Sequence, residues 1–432
     1  MTEPDAEQLA ARRQAGSAVS GPTSPSPPAE VETAAWAGGM LRAIAAEAGL
    51  RRIRIVAWRD VDDPEAGGSE LHAHRIASHW AAAGVHVELR TSAVAGGPPV
   101  VVRDGYTAVR RSGRYAVFGR AAVEGALRRP AAGEGLVEIW NGMPFWSPLW
   151  HRGPRLVFLH HVHAEMWRMV LPRWMARIGE AAERHVAPPL YRAARVVTLS
   201  ESSRQEIVEL LGLHPDRVAV VPPGVDDRFR PGPGRAASPL VVAVGRLVPV
   251  KRFDLLVRAL AAARARVPDL QAAIVGEGYE RPRLEALRRE LRAEGWLSLP
   301  GHVDDDELVG WYQRAWVVAS ASRREGWGMT LTEAGACGTP AVATDIAGHR
   351  DAVVHGETGV LADEGQLASA LAAVLGDAGL RRRLGAGAAA RAASYRWEAA
   401  ARATLEVLAE EVCWAARAAD GYPLGVPANL LP

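Results

Sequence analysis

Two stretches near the N-terminus, IRIVAW at residues 53–58 and AGGSE at 66–70, decide the fold class. The first is a short apolar run rich in β-branched residues, which predicts a buried strand. The second is a glycine turn, followed by helical periodicity over 71–83 and another apolar run at 85–90. Strand, glycine turn, helix and strand in this order predict a βαβ unit, and therefore an α/β domain with a parallel sheet.

Three further apolar runs extend this first domain, at residues 137–140, 156–159 and 196–199. The last leads into a helical pattern for which Ser200 or Ser202 is a candidate N-cap, because a serine hydroxyl can accept a hydrogen bond from the first free N–H groups of a helix.

The periodicity stops between residues 222 and 238, where PPG at 222–224 and PGPG at 231–234 are typical of a surface linker. Alternation then resumes, with strands predicted at 240–244, 271–275, 296–299 and 316–320 and helices at 252–265 and 281–294. We therefore predict two Rossmann-like, doubly wound parallel-sheet domains, with a ligand cleft at the carboxyl ends of the strands.

Serine, proline, alanine and charge dominate residues 1–35, which we predict to be a disordered leader. The remaining predicted segments are an N-terminal domain at 36–222, a linker at 223–238, a C-terminal domain at 239–395, an amphipathic helix at 396–418 that is a candidate to cross back to the N-terminal domain, and a loose tail at 419–432.

The composition excludes several classes of protein. Of 432 residues, 48% are hydrophobic and 23% charged, which is ordinary globular usage and fits neither a disordered chain nor a membrane bundle. A net charge of +2 argues against a dedicated nucleic-acid binder. Cys337 and Cys413 are too few for a disulfide framework, and no apolar run approaches the roughly 18 residues of a spanning helix. We expect a cytoplasmic protein.

The stretch EGWGMTLTEA at residues 325–334 carries the strongest chemical signal. Its glycines permit close approach of a ligand, and the start of a helix presents free N–H groups to hydroxyls or phosphate. Glu333, two turns into that helix, can accept hydrogen bonds from a vicinal diol. The alternative is a glycine turn with two solvated glutamates.

Two cations, Arg246 and Lys251, follow the strand at 240–244 after a short turn. At the carboxyl end of a parallel sheet they face the cleft, where paired cations would neutralise a departing diphosphate. The alternative is a surface arginine and lysine at a helix start, a place that the helix dipole makes unfavourable for cations.

From residue 52 to about 416 the chain resembles the retaining glycosyltransferases of family 4, which have the two-domain GT-B architecture. The resemblance implies that the domain at 36–222 binds the acceptor, that the domain at 239–395 binds the nucleotide-sugar donor, and that the two face each other across a cleft. The resemblance is most specific after residue 222. It rests on PPGVD at 222–226, GRL at 245–247 with Lys251, VGEG at 275–278, GHV at 301–303, the two-glutamate stretch at 325–334, and GTP at 338–340.

The resemblance implies transfer of a hexosyl unit from a UDP- or GDP-sugar to a hydroxyl acceptor, with retention and without a metal or other cofactor. It implies that Arg246 and Lys251 hold the diphosphate and that Glu333 binds the ribose. It places the hexose against Glu325 and the amides of Gly326, Trp327 and Gly328, and the base near Gly276, Gly278 and Val303.

In the first domain the resemblance implies an active-site histidine at the end of the strand at 156–159, within LHHVH at 159–163. Strand alternation places His160 and His161 on opposite sides; His160 is the first choice and His161 the second. The competing interpretation is a metal site formed by the three histidines, but no carboxylate stands at a spacing diagnostic of such a site. The amides of Gly67 and Gly68 are expected to contact phosphate and acceptor.

Two departures from the family pattern concern turns. Pro223 stands where an asparagine is usual, and Arg323 and Arg324 stand where many relatives have a Pro-Ser turn, a change that could alter acceptor choice. The acceptor-side segment at 166–177, MWRMVLPRWMAR, could lie at a membrane near a lipid-linked acceptor. Its alternative interpretation is a partly buried helix with solvated arginines.

Two other functions were weighed. A dinucleotide-dependent oxidoreductase would fit the doubly wound domains, but Arg281 stands where the third glycine of its fingerprint is needed. A non-catalytic sensor of sugar nucleotides would share the fold. We favour the transferase, acting in glycolipid or cell-envelope glycan synthesis.

Overall fold

A computed structural model describes residues 29–419, with the side chains of all of them except 29–37, 170, 418 and 419. Helix α1 (Ala29–Glu47) begins inside the predicted leader, where alanine and glutamate favour a helix. The rest of that leader and the predicted tail from 420 onward lie outside the described residues.

The first sheet has eight strands in the order β3-β4-β2-β1-β5-β6-β7-β8, all parallel except β3, which runs antiparallel to β4. Its strands are β1 (Arg52–Val56), β2 (His86–Thr91), β3 (Val100–Arg103), β4 (Tyr106–Arg110), β5 (Glu134–Trp140), β6 (Arg155–Leu159), β7 (Arg195–Thr198) and β8 (Val218–Val220).

Its helices are α2 (Gly68–Ala82), α3 (Ala116–Ala126), α4 (Ser147–Trp150), α5 (Met166–Val170), α6 (Arg173–Ala181), α7 (Ala187–Tyr191) and α8 (Glu201–Leu211). A π-helical turn (Ala182–Val186) joins α6 to α7, and a 3-10 turn (Pro215–Arg217) precedes β8.

The second sheet is entirely parallel, in the order β11-β10-β9-β12-β13-β14. Its strands are β9 (Leu240–Val244), β10 (Gln271–Val275), β11 (Leu297–Gly301), β12 (Val317–Ser320), β13 (Ala341–Thr344) and β14 (Gly359–Ala362). Its helices are α9 (Phe253–Arg264), α10 (Arg281–Glu290), α11 (Asp305–Arg314), α12 (Met329–Ala336), α13 (Ala347–Ala352), α14 (Leu367–Gly376) and α15 (Ala378–Ala392), with 3-10 turns at Pro249–Lys251 and Glu364–Gln366.

Two parallel-sheet α/β domains confirm the predicted fold class. The strand order of the second sheet is the doubly wound one, in which the direction of winding reverses between β9 and β12. In the first sheet the corresponding reversal lies between β1 and β5. Ligands of open α/β sheets bind outside the carboxyl ends of the strands at such reversals, so the topology alone marks where a site can form.

The final helix, α16 (Trp397–Ala419), packs into the core of the first domain. The Trp80 indole on α2 donates to the backbone oxygen of Ala401 at 2.9 Å, and both residues are fully buried. Helix α16 therefore completes the first domain rather than the second.

Local chemistry explains two turns. Ser200, one of the two predicted candidates, is the N-cap of α8. Its hydroxyl accepts a hydrogen bond from the Ser203 amide at 3.1 Å. The β3–β4 hairpin was not predicted, although Asp104-Gly105 between the strands is a strong turn signal; both residues have positive φ, as a type I′ turn requires.

Candidate functional site

The predicted donor residues lie at the winding reversal of the second sheet. Arg246 follows β9 directly, and Ser322 and Glu325 follow β12, its neighbour across the reversal. Lys251 ends the 3-10 turn after β9. The fold thus brings side chains that are far apart in sequence to one edge of the sheet.

Lys251 and Glu325 form an ion pair there, with Nζ to Oε1 at 2.6 Å. The Ser322 hydroxyl donates to the same carboxylate oxygen at 2.6 Å. Burial alone would raise the pKa of Glu325, but Lys251 and the neighbouring His349 outweigh it and hold that pKa below its ordinary value. The carboxylate is therefore ionised at neutral pH and fixed in orientation.

Arg246 crosses to the other domain. Its Nη1 donates to the backbone oxygen of Glu65 at 3.2 Å, and a Cβ placed on Gly67 would lie 3.3 Å from its Nε. The guanidinium therefore lies against the glycine turn after β1. The structure brings Arg246 and the predicted phosphate loop together, and Gly68 of that loop lies beside Met329 at the start of α12.

The glycine turn is held by a buried carboxylate, Glu70, which sequence analysis did not single out. It accepts from the Gly67 amide at 2.9 Å, the Ser69 hydroxyl at 2.8 Å and the Arg59 Nε at 3.2 Å. Burial alone would raise the pKa of Glu70, but Arg59 and these donors outweigh it and lower the pKa. The glutamate at the third helical position is a sequence signal for a capping box and could have identified Glu70. Its pairing with Arg59 could not be predicted from the sequence.

The two histidines have different surroundings. His160 is buried, and its Nε2 lies 3.3 Å from Nδ1 of His72 on α2; burial lowers the pKa of His160 to about 4. His161 instead stacks on His163, with ring centroids 5.0 Å apart. Burial, with Arg324 nearby, lowers the pKa of His163 to about 4 and holds that of His161 well below its ordinary value. All three imidazoles are neutral at pH 7.

Gly326 lies where the domains touch. A Cβ at this position would come within 2.5 Å of the His160 backbone oxygen, so only glycine fits. Its own backbone oxygen accepts from the hydroxyls of Ser200 at 2.9 Å and Ser203 at 3.3 Å, both on the first domain. The predicted hexose segment and the predicted active-site histidine are therefore adjacent.

The next two residues lead into α12. The side chain of Trp327 is buried and packs edge-on against Tyr395, with ring centroids 5.2 Å apart, so only its backbone could serve a ligand. Gly328 is the N-cap of α12 with φ +109°, a conformation that side chains disfavour.

Glu333 lies farther along α12 and is buried. Its carboxylate accepts from the Tyr312 hydroxyl at 3.0 Å, and burial raises its pKa to about 7. It does not contact Glu325; the two glutamates of the motif have separate partners and opposite pKa shifts.

The residues predicted to enclose the base line the β9 and β10 ends of the sheet. Gly276 has φ +134°, and a Cβ there would lie 2.1 Å from the Gly245 oxygen. The loop holding Gly278 bonds to Leu247. Val303, two residues after β11, packs against the cluster formed by Val242, Val275 and Ala315.

The segment at 166–177 forms two helices, α5 and α6, separated at Leu171-Pro172. Trp167 on α5 is buried and its indole donates to Glu183 at 3.0 Å. Trp174 and Ile178 on α6 are instead 66% and 58% exposed. Within 166–177, Trp167 and Ala176 are therefore buried, whereas Trp174 and Met175 present apolar side chains to solvent beside exposed arginines.

Residues 29–419 contain neither a cluster of metal ligands nor a membrane-spanning helix. No group of three or more histidine, cysteine, aspartate or glutamate side chains in that range is arranged to hold a metal ion. No helix within it is both long and apolar enough to cross a bilayer.

Both halves of the chain match known families. Residues 66–229 match the family described as Glycosyltransferase Family 4, and residues 226–391 match Glycosyl transferases group 1. The D-inositol 3-phosphate glycosyltransferase of Streptomyces bingchenggensis is 32% identical over 396 residues, which cover 80% of this chain and 85% of that one. The chain is a member of glycosyltransferase family 4. This membership leaves the oxidoreductase interpretation without support.

A second relative of this family 4 glycosyltransferase is the enzyme of the same name from Thermobispora bispora, 31% identical over 414 residues, which cover 83% of this chain and 95% of that one. Sucrose-phosphate synthase from Thermosynechococcus elongatus has a TM-score of 0.68 at 22% identity, covering 81% and 96% of the two chains. Anabaena Alr3699/HepE, solved in complex with UDP-glucose, has a TM-score of 0.65 at 18% identity, covering 83% and 99%. These structures share the GT-B fold with the present chain.

Proposed function

We propose that the enzyme transfers a hexosyl unit from a nucleotide diphosphate sugar to an acceptor hydroxyl with retained anomeric configuration. The observation that carries this is the Lys251–Glu325 pair at the winding reversal, facing Arg246 and the Gly67–Gly68 turn. Two cations that would bind a diphosphate and a fixed carboxylate that would bind a sugar lie at one edge of the sheet, and this supports the proposal.

The donor is proposed to be a UDP- or GDP-sugar, with UDP-sugars tested first because Anabaena HepE was solved with UDP-glucose. Arg246 and Lys251 would stabilise the diphosphate as the glycosidic bond breaks, Glu333 would accept from the ribose, and Glu325 would orient the hexose. Gly326, Trp327 and Gly328 would contribute backbone amides. No metal or other cofactor is needed in this scheme, because the two cations supply the positive charge.

The acceptor hydroxyl is proposed to attack from the face on which the phosphate leaves. The new bond forms between the acceptor oxygen and the anomeric carbon while the carbon–phosphate oxygen bond breaks, and the acceptor proton passes to the leaving phosphate. His160, neutral and directly after β6, would contact the sugar, with His161, whose Nδ1 lies beside Gly326, the second candidate. Because the curated relatives are named for D-inositol 3-phosphate, that compound is the first acceptor to test.

A panel of UDP-, GDP- and ADP-sugars tests the proposal, scored by thermal shift without added metal and then by slow donor hydrolysis. One sugar nucleotide should raise the melting temperature, and Arg246→Ala should abolish the shift. Arg258→Ala, whose side chain is exposed on α9, is the matched control. Binding without turnover in the presence of any acceptor would favour the non-catalytic sensor, and no shift with any sugar nucleotide would contradict the donor assignment.

We also propose that α6 docks on an anionic bilayer, which would bring the site to a lipid-linked acceptor. Trp174 and Ile178 lie on the face opposite the buried Ala176 and Gly179, and arginines flank them. An apolar stripe edged by cations suits an interface with anionic headgroups. The double variant Trp174→Ser/Ile178→Ser should lose co-sedimentation with phosphatidylglycerol vesicles, whereas Leu127→Ser, 84% exposed on another face, should not. Absence of wild-type sedimentation at low salt would refute this.

A further inference from the structure

Arg324 connects the two domains through one side chain. It precedes Glu325 in the second domain, and its Nε donates to the Val162 backbone oxygen of the first domain at 2.9 Å. Its two terminal nitrogens reach Glu206 on α8 and, at 3.5 Å, Glu165. The guanidinium therefore uses three donors on three parts of the first domain.

The position of Val162 gives this contact its significance. Val162 lies between His161 and His163, in the loop that follows β6 and begins with His160. Arg324 thus holds the histidine loop from the donor side, one residue away from the carboxylate that pairs with Lys251.

Neighbouring contacts reinforce the same alignment. Gly326, two residues after Arg324, abuts the His160 backbone and is hydrogen bonded by Ser200 and Ser203. These contacts hold the segment on both sides of Glu325 against the first domain. The Arg324 side chain is only 13% exposed, so its charged hydrogen bonds are partly shielded from water and stronger than those of a surface pair.

The adjacent Arg323 provides a contrast. It is exposed, and its backbone amide bonds to Val250 within its own domain. Of the two arginines that replace the family's usual turn, the one that enters the cleft is therefore Arg324.

We propose that Arg324 is a positioning residue that fixes the His160–His163 loop opposite the Lys251–Glu325 pair and favours the closed arrangement of the two domains. The inference rests on the proposed transfer reaction for its kinetic consequence. Without this side chain Lys251, Glu325 and Glu333 keep their places, because they belong to the second domain, but the acceptor side is no longer held in register with them.

Steady-state kinetics with Arg324→Gln, Glu206→Gln and Arg323→Gln test the kinetic consequence. Loss of charge-assisted hydrogen bonds of this kind should lower kcat roughly 10- to 100-fold in Arg324→Gln, with the dissociation constant of UDP changed less than about threefold. Glu206→Gln, which leaves the Val162 bond intact, should show a smaller loss in kcat. Equal rates for Arg324→Gln and Arg323→Gln, or a loss of UDP affinity as large as the loss of kcat, would refute the proposal.

Interdomain distances test closure without relying on activity. Spin labels are attached to cysteines introduced at the exposed positions Val123 and Arg289, one in each domain, and Cys413 is replaced by serine. The distance between the two labels reports the separation of the domains in the full chain. Arg324→Gln should shift the distribution towards longer distances, and Arg323→Gln should leave it as in the wild type. An unchanged distribution in Arg324→Gln would overturn the closure role even if the enzyme proved to transfer no sugar, so the two proposals fail separately.

Discussion

At the scale of single residues, Glu333 has the most informative ionisation. Its pKa of about 7 exceeds the ordinary value of 4.5 because the carboxyl is buried. The free energy of unfolding is therefore highest, as far as Glu333 affects it, below pH 4.5, where the carboxyl is protonated in both the folded and the unfolded protein. That stability is lost as the pH rises from 4.5 through about 7, because the unfolded protein releases the proton first. Binding of the ribose hydroxyls requires the ionised carboxylate, so donor affinity should change with pH in the opposite direction from stability.

We therefore expect donor affinity to increase with pH. Between about pH 6 and 7 the dissociation constant of a UDP-sugar should fall by up to about tenfold per pH unit and then level off above 7. Isothermal titration calorimetry with wild type and Glu333→Gln checks this. The variant should bind more weakly and without this pH dependence; a wild-type affinity that is flat or decreases over the same range would contradict the ribose role.

Lys251 carries a second prediction at this scale. Lys251→Ala removes a cation from the proposed diphosphate site and leaves the Glu325 carboxylate without its ion-pair partner. Turnover should fall by about two orders of magnitude or more, as for loss of one preorganised transition-state contact. Comparison of kcat with the melting temperature separates catalysis from folding, and a near-normal rate in a folded variant would disprove the assignment.

At the scale of elements, a buried carboxylate fastens β5 to the segments that follow it. Glu138 on β5 accepts from the Phe145 amide at 2.5 Å and from the Tyr191 hydroxyl on α7 at 2.7 Å. Burial raises the pKa of Glu138, and the tyrosine hydrogen bond opposes that rise by favouring the ionised form.

Tyr191→Phe should therefore destabilise the fold more at high pH than at low pH. We expect a loss of about 1 kcal/mol where Glu138 is protonated, rising towards about 3 kcal/mol where it is ionised, because hydrogen bonds to charged groups contribute more. Urea unfolding of the variant and the wild type, measured from acidic to alkaline pH, gives this loss in the free energy of unfolding. Tyr115→Phe, the same change at an exposed site, is the control and should have no effect; equal losses for the two variants would contradict the expectation.

Sequence patterns were reliable at this scale where the cause is local. The Ser200 cap, the glycine turn before α2 and most strands were predicted because they depend on neighbours a few residues away. The Asp104-Gly105 hairpin was missed although its signal was equally local. The breadth of the first sheet was therefore underestimated.

At the scale of the whole molecule, the last helix belongs to the first domain. Leu408 on α16 is fully buried, and a Cβ on Gly135 of β5 would lie 3.2 Å from it, so its side chain fills the space above that strand. The chain thus passes through the second domain before the core of the first is complete.

Leu408→Ala should destabilise the first domain by about 2–5 kcal/mol through lost burial and the cavity left behind. Hydrogen exchange should accelerate in β1 and β5 more than in β9 and β12. Leu127→Ala, at an exposed site, should change the free energy of unfolding by less than about 0.5 kcal/mol. Faster exchange confined to the second sheet would show that α16 supports the other domain.

The sequence by itself determined the fold class, the two sheets and the positions of the candidate donor residues. Hydrophobic periodicity, caps and glycine turns act over a few residues, and parallel strands must end at one edge, so Arg246 and Lys251 could be assigned to that edge, and Glu325 to the turn before a helix, before any coordinates.

Only the tertiary structure decided which side chains meet across the cleft. The contacts of Arg246 with Glu65 and of Arg324 with Val162 join residues more than a hundred positions apart. Such partners depend on how two finished domains are placed, which no local pattern encodes. The same holds for the opposite pKa shifts of Glu325 and Glu333, because burial and the nearest charge are properties of the packed molecule.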